Sequence, residues 1–252
     1  MSDSVFVRLS CRAAPRLRLI CFPHGGGGPS AYRQWPARLP QSVEPWAVCL
    51  PGREMRAHQP CADSVDALVA LLAEDAQRLP PMPYVLFGHS LGAALAVELT
   101  AALRRMNASL PLKLVLTGRA PPHSPYPVDM RQASDEALTQ ALIDMGGVPA
   151  QLAAVPGYLA AFLPRIRADY RLNHDVLGRI VEPLDLPLTV INGCADPFAN
   201  RADIEAWREY TRREFRSLWV DGGHFFLHEQ VDYFIELLLS ELANVEESVA
   251  SR

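Results

Sequence analysis

Val85-Leu86-Phe87-Gly88-His89-Ser90-Leu91-Gly92-Ala93 is the stretch on which the reading of this chain turns. The apolar run after Pro83 and Tyr84 reads as a buried strand. The alanine- and leucine-rich segment from Ala93 to Met106 reads as a buried helix. Between them stands Gly-x-Ser-x-Gly, the pattern of a nucleophile elbow, in which a strained strand-to-helix turn lifts a serine hydroxyl clear of the sheet. Gly88 and Gly92 have a steric reason to be glycine, because a side chain at either would meet the neighbouring strand or helix as the backbone doubles back. Three fixed positions also arise by chance, so the flanking strand and helix carry the weight. Ser90 is therefore the candidate nucleophile, and the rest of the chain has to supply its partners.

Upstream, Val5, Val7 and Leu9 suggest a short edge strand, and Leu17 to Phe22 a more central one. The second feeds Pro23-His24-Gly25-Gly26-Gly27-Gly28, followed by a helical stretch from about Ser30 to Leu39. A glycine cluster between strand and helix can cradle a phosphate, but the Walker lysine is missing and Gly-x-Gly-x-x-Gly is not matched. The better reading is a His-Gly-Gly-Gly-type loop that offers a backbone N–H to an oxyanion. Trp46 to Leu50 is the next expected strand, ending in Pro51-Gly52-Arg53-Glu54-Met55-Arg56. Asp63 or Ser64 can then cap a helix with Val65, Leu68, Leu72 and Leu79 at helical spacing.

Downstream, Leu112 to Thr117 reads as a strand, and the pattern then changes from Gly118 to about Glu182. A loop with Pro121, Pro122, Pro125 and Pro127 leads to a helix capped by Ser134 and stopped by Gly146-Gly147 and Pro149. A further helix is expected from about Tyr158 to Leu172, kinked or divided at Pro164. This is a helical insertion, the usual place for a lid that shapes a substrate pocket, and Leu152, Val155, Leu159 and Phe162 are among the residues able to line an acyl site. Strands resume at Leu188 to Asn192 and at Arg216 to Val220. A helix capped by Asn200 lies between them, and a last helix from about Leu227 to Leu242 precedes a frayed tail. Strands alternating with helices predict an α/β fold with a mostly parallel central sheet covered on both faces. The expectation is one α/β-hydrolase domain over residues 1–252, with a helical lid insertion at about 120–182.

Composition is consistent with this. The 252 residues are 49% hydrophobic and 21% charged, enough for a full core, and the net charge of −4 gives no basic surface for nucleic acid. No apolar run approaches the roughly 18 residues of a membrane span, and the N-terminus lacks the pattern of a signal peptide. The expected location is the cytoplasm, and the expected state a monomer. Cys11, Cys21, Cys49, Cys61 and Cys194 are scattered and odd in number, so free thiols are expected. No grouping of histidines with carboxylates or cysteines has metal-ligand spacing, so neither metal nor cofactor is expected.

A serine hydroxyl needs a base, and the base a carboxylate that fixes its tautomer. In this architecture the chain order is Ser, then Asp or Glu, then His, each on a loop at the carboxyl end of a strand. Asp196 follows the strand 188–192, and His224 follows the strand 216–220 in a Gly-Gly-His turn. Asp221, three residues before His224, is the rival acid but reads as a turn or cap residue. His24 and His89 flank the site as structural rings; His58, His123, His174 and His228 read as surface or core residues. The expected oxyanion donors are the N–H groups of Leu91 and Gly25, each typically worth ~3 kcal/mol in the transition state. The triad by itself also suits a small-molecule carboxylesterase or a lipase, and a binding protein that has lost catalysis would not need all three residues.

Together, Phe22-Pro23-His24-Gly25-Gly26-Gly27, Leu50-Pro51-Gly52-Arg53-Glu54-x-Arg56, Gly88-His89-Ser90-Leu91-Gly92, Gly193-x-x-Asp196 and Gly223-His224-Phe225-Phe226-Leu227 resemble the type II thioesterases. These are stand-alone editing enzymes of nonribosomal peptide and polyketide assembly lines, related to the medium-chain fatty acyl thioesterase of animals. The resemblance spans nearly the whole chain, including Gly146 to Pro149. Gly25 departs from the alanine often found there, which leaves the backbone N–H in place. The resemblance implies hydrolysis of aberrant or stalled acyl groups from the phosphopantetheine thiol of a carrier protein, in an antibiotic or siderophore pathway. Carrier proteins are generally acidic, so Arg165, Arg167, Arg201, Arg212 and Arg213 are candidates for a docking rim, against the ordinary reading of solvated helix faces.

Overall fold

The computed structural model describes residues 4–125, 129–148, 150–153, 155 and 157–250. Seven strands form one sheet in the order β1-β3-β2-β4-β5-β6-β7: β1 (Phe6–Arg8), β2 (Leu17–Phe22), β3 (Val43–Val48), β4 (Tyr84–His89), β5 (Leu114–Thr117), β6 (Leu188–Gly193) and β7 (Phe215–Val220). Among the described residues only β1, at the edge, runs antiparallel to its neighbour; the other pairings are parallel. The apolar strands divide their side chains between two cores by the period-two alternation of a strand. Leu19, Cys21, Val85, Phe87 and Val115 enter one core, and Ile20, Phe22, Leu86, Leu114 and Leu116 the other. Helices α1 (Val65–Gln77) and α2 (Leu91–Arg105) cover the second face. The first is covered by the long α8 (Val231–Ala250), after the single turn α7 (Phe226–Glu229). Glu241 of α8 is buried and accepts hydrogen bonds from Lys113 Nζ at 2.5 Å and Thr189 Oγ1 at 2.7 Å, bracing that helix to β5 and β6.

Between β5 and β6 lie α3 (Asp135–Asp144), α4 (Ala150–Ala153) and α5 (Leu163–Asp175). Ser134 caps α3 by accepting the Ala137 N–H at 3.2 Å. At the other end, the Gly146 N–H bonds the Ile143 carbonyl and the Gly147 N–H bonds the Leu142 carbonyl, with Gly146 at φ 75°, a Schellman stop. The expected contribution of Pro149 lies outside the described residues, as does Pro127. Leu138, Leu142, Leu163 and Ile166 form a small third core between α3 and α5. After β6 comes α6 (Arg201–Glu205), capped by Asn200, whose Oδ1 accepts the Asp203 N–H at 3.0 Å.

Several boundaries differ from expectation for local reasons. The stretch 30–39 forms two 3-10 turns, Pro29–Tyr32 and Trp35–Ala37, because Pro36 removes a donor from any α-helical ladder there. The third strand starts at Val43 and stops at Val48, tolerating Pro45, whose carbonyl accepts the Leu9 N–H. Pro164 neither kinks nor divides a helix: it sits in the first turn of α5, where its missing N–H costs nothing. Leu79 lies beyond the end of α1. The C-terminal segment is helical to Ala250 rather than frayed after Asn244. All five cysteines are free, with Cys21 and Cys49 buried.

Candidate active site

Ser90 sits between β4 and α2 with φ 56° and ψ −117°, a backbone conformation rare outside glycine that costs about 1–3 kcal/mol. Its N–H is held by the Thr117 carbonyl at 2.9 Å. The two glycines act as the sequence requires. A Cβ on Gly88 would lie 2.6 Å from the Ala93 Cα, and one on Gly92 would overlap the Phe22 carbonyl. The elbow is thus clamped between β2, β5 and its own helix. Leu91 is the first residue of α2, so its N–H has no acceptor within the helix.

Asp196 and His224 lie on the loops after β6 and β7, next to one another although 28 residues apart. Asp196 Oδ2 and His224 Nδ1 are 2.9 Å apart, with the carboxylate fully buried, while Oδ1 accepts the Phe198 N–H at 2.9 Å. This leaves Nε2 as the ring nitrogen available to the cleft. His224 and Ser90 line the same cleft, and among the described residues no hydrogen bond joins them. Asp221 is exposed and stands apart, its carbonyl accepting from Gln230 Nε2.

Around His224 the structure places His89 and His24, the two rings expected to flank the site, and also His228, which was not expected there. The His224 ring lies 4.8 Å from that of His89, which is anchored through Nδ1 to Thr117 Oγ1 at 2.8 Å. His24 is 5.8 Å from His89, and His228 is 5.8 Å from His24, with Phe225 packed among them. Burial, reinforced by the neighbouring imidazoles, lowers His24 to about 3 and holds His89 well below its ordinary value; burial lowers His228 to about 4. These rings are neutral near pH 7. They place no competing cation beside His224. Four rings converge, yet among the described residues no group of three His, Cys, Asp or Glu side chains is placed to hold a metal ion. His228 had no sequence signal, because only the turn Phe226–Glu229 swings it toward the cleft.

The opposite wall of the cleft comes from the helices between β5 and β6: Leu142 and Met145 near the end of α3, and Ile166, Asp169 and Tyr170 of α5. Gly25 joins Ser90 and His224 on the near side. The cleft is narrow, about 30 Å³, and open to solvent on one side. A larger cavity of about 770 Å³ opens where β2, β4 and β5 begin, lined by Arg18, Tyr84, Leu99 and Leu110 among others. It lies at the wrong end of a parallel sheet for this chemistry and contains neither Ser90 nor His224.

Arg53 supplies the other missed feature. It is buried, and it forms a two-pronged ion pair with Asp169 of α5: Nη1 to Oδ2 at 2.8 Å and Nη2 to Oδ1 at 2.7 Å. Nη1 also donates to the Gly27 carbonyl at 2.9 Å, and Asp169 Oδ2 accepts the Gly26 N–H at 2.5 Å. Glu54 accepts from Ser30 Oγ at 2.7 Å, so the Pro51-to-Arg56 segment holds the glycine loop from two sides.

The thioesterase domain family matches residues 17–242, a span that includes the elbow, Asp196 and His224. The chain belongs to the thioesterase family. As a thioesterase it hydrolyses thioester bonds. It is 33% identical to the gramicidin S biosynthesis protein GrsT of Aneurinibacillus migulanus, over 94% of this chain and 93% of that one. Among solved structures it is similar to the RedJ thioesterase of the prodiginine biosynthetic pathway in Streptomyces coelicolor. There the TM-score is 0.85 and the identity 37%, covering 91% of this chain and 87% of that one. It is also similar to the type II thioesterase BorB of the borrelidin biosynthetic cluster, with a TM-score of 0.86 and 29% identity over 96% and 99% of the two chains. The expected α/β-hydrolase fold of this thioesterase is borne out by the sheet order and by these neighbours. Among its described residues no helix is long and apolar enough to cross a membrane.

Proposed function

We propose that this thioesterase releases aberrant or stalled acyl groups from the phosphopantetheine thiol of carrier proteins in nonribosomal peptide or polyketide synthesis, through an acyl-Ser90 intermediate. The observation that carries the reading is the buried Asp196–His224 pair at 2.9 Å, in one cleft with a serine on a strained elbow, in a chain of this family. Ser90 Oγ bonds to the thioester carbon while His224 Nε2 takes its proton, and Asp196 stabilises the imidazolium. The N–H groups of Gly25 and Leu91 receive the developing oxyanion. The C–S bond then breaks, the thiol leaves with the proton from His224, and a water activated by the same ring hydrolyses the acyl-serine.

The helices of about 120–182 act as the lid of a single hydrolase domain. The narrow cleft, walled by Leu142 and Met145 at the end of α3 and by Ile166 of α5, supports that role. The enzyme works in the cytoplasm as a monomer, with an acidic carrier as its macromolecular partner. Of the basic rim, Arg167 is paired with Asp135 and Arg213 with Asp185, each at 2.6 Å. Arg165 and Arg201 lie over Phe162 and Trp219. Arg167 and Arg213 are thus neutralised by their own neighbours, and the charge offered to a carrier comes mainly from Arg165, Arg201 and Arg212.

Turnover of acyl-carrier thioesters against matched oxyesters tests the substrate class, and a strong oxyester preference would overturn it. Labelling by a fluorophosphonate is expected for the wild type and absent in Ser90→Ala; persistent labelling of the variant would remove Ser90 from the mechanism.

A further inference from the structure

The loop that carries Gly25 is a tight turn with little of its own to hold it. The Gly27 N–H donates to the His24 carbonyl at 2.9 Å, and Gly26 has φ 81°, the geometry of a type II turn. Its central peptide joins two glycines. Neither has a Cβ to resist rotation of that peptide plane, so the sequence of the loop does not fix its orientation. Two buried charged side chains do. Asp169 Oδ2 accepts the Gly26 N–H at 2.5 Å, and Arg53 Nη1 donates to the Gly27 carbonyl at 2.9 Å. The carboxylate and guanidinium are themselves locked by two parallel hydrogen bonds, with side-chain exposures of 2% and 1%. The loop lies directly on α5: a Cβ at Gly25 would be 3.5 Å from the Asp169 Cβ, and one at Gly26 would be 3.0 Å from Ile166.

We propose that Arg53 and Asp169 are positioning residues of the oxyanion site, holding the His24–Gly27 turn so that the Gly25 N–H faces the carbonyl attacked by Ser90. The inference rests on the assignment of Gly25 as an oxyanion donor. A buried ion pair is a weak device for stability alone, since an apolar pair of similar volume serves about as well. Only polar groups, however, can grip the N–H of one turn residue and the carbonyl of the next. A second consequence follows from where Asp169 resides. Because it belongs to α5, the oxyanion turn is braced by the helices inserted between β5 and β6 as well as by Arg53 of the loop after β3.

The test compares kcat, KM and unfolding midpoint in Asp169→Asn and in the double variant Arg53→Met/Asp169→Leu, with Ser90→Ala in parallel. Removing both charges leaves no buried ion unpaired, so the midpoint of the double variant is expected to return close to that of the wild type. Its kcat is expected to stay about 10- to 100-fold low with KM within about twofold, a part of the 10²–10³ lost when an oxyanion donor is removed outright. Affinity for an alkyl boronic acid, whose tetrahedral Ser90 adduct places an oxygen at the oxyanion position, should fall by the same factor. Wild-type kcat in a folded double variant would overturn the proposal. Should that variant not fold, Asp169→Asn decides: a loss in kcat and boronate affinity at unchanged KM supports positioning, and a loss matching only the unfolded fraction refutes it. Activity surviving in Ser90→Ala would instead bring down the assignment of the site, and this inference with it.

Discussion

Two buried carboxylates stand on opposite sides of the same cleft, Asp169 lining it and Asp196 behind His224, and each has a basic partner. Asp196 on the sheet side meets His224, and Asp169 on the α5 side meets Arg53. The partner decides what each pair can do. An imidazole gives up and regains its proton near neutral pH, so the sheet-side pair can move a proton during turnover. A guanidinium stays charged, so the α5-side pair can only hold a geometry. The supports differ as well. The elbow stands in the main cores, where residues 85–97 are all buried, whereas α3 and α5 meet through a small cluster of their own. The chemical side of the cleft is therefore rigid by packing, and the covering side is tied down at selected points.

The largest expected break in this comparison is on the proton-moving side. Asp196→Asn should lose about 10⁴ in turnover, since the wrong tautomer of His224 is then favoured, while Asp221→Asn stays within about twofold. Steady-state kinetics of the two variants check it, and the reverse result would move the acid to Asp221. His224→Ala and Ser90→Ala are each expected to lose about 10³-fold or more.

The next effect is on stability with pH. His24, at about 3, and His228, at about 4, bind protons less readily folded than unfolded, where the ordinary value is 6.5. Their contribution is fully present above about pH 6.5 and is lost as pH falls toward 4 and then 3, a few kcal/mol for the pair. Urea midpoints measured from pH 7 to pH 4 should fall accordingly, and His228→Gln should flatten part of that slope. An unchanged slope would mean that the ring is not buried neutral.

A smaller contrast separates the two kinds of packing. Leu99→Ala, in the core beneath α2, is expected to lower global stability by about 2–5 kcal/mol. Leu138→Ala, in the cluster of α3 and α5, should instead raise KM with little shift of the global midpoint. Equal midpoint losses would show that these helices unfold with the sheet. Smallest of all, Ser134→Ala removes the cap of α3 and should cost about 1 kcal/mol, seen as faster amide exchange over residues 135–144.

The legible part of this protein is the part encoded locally. Gly88 to Gly92 specify a turn through steric limits of their own backbone, and strand periodicity places Asp196 and His224 at neighbouring carboxyl ends of a parallel sheet. Chain order then suffices to join Ser90, Asp196 and His224 before any coordinate is known. Pro164, by contrast, starts a helix where its position suggests a kink, because the same residue breaks a helix or begins one depending on where the first turn lies. Arg53 stood inside a recognisable motif without a partner, for its carboxylate is 116 residues away on α5. His228 looked unremarkable until a single turn carried it beside His24. Sequence alone determined which residues are candidates for the chemistry, since backbone sterics and periodicity act over a few residues. Tertiary structure alone decided how the glycine loop is held and how closed the cleft is, since those depend on which distant side chains packing brings within hydrogen-bond reach.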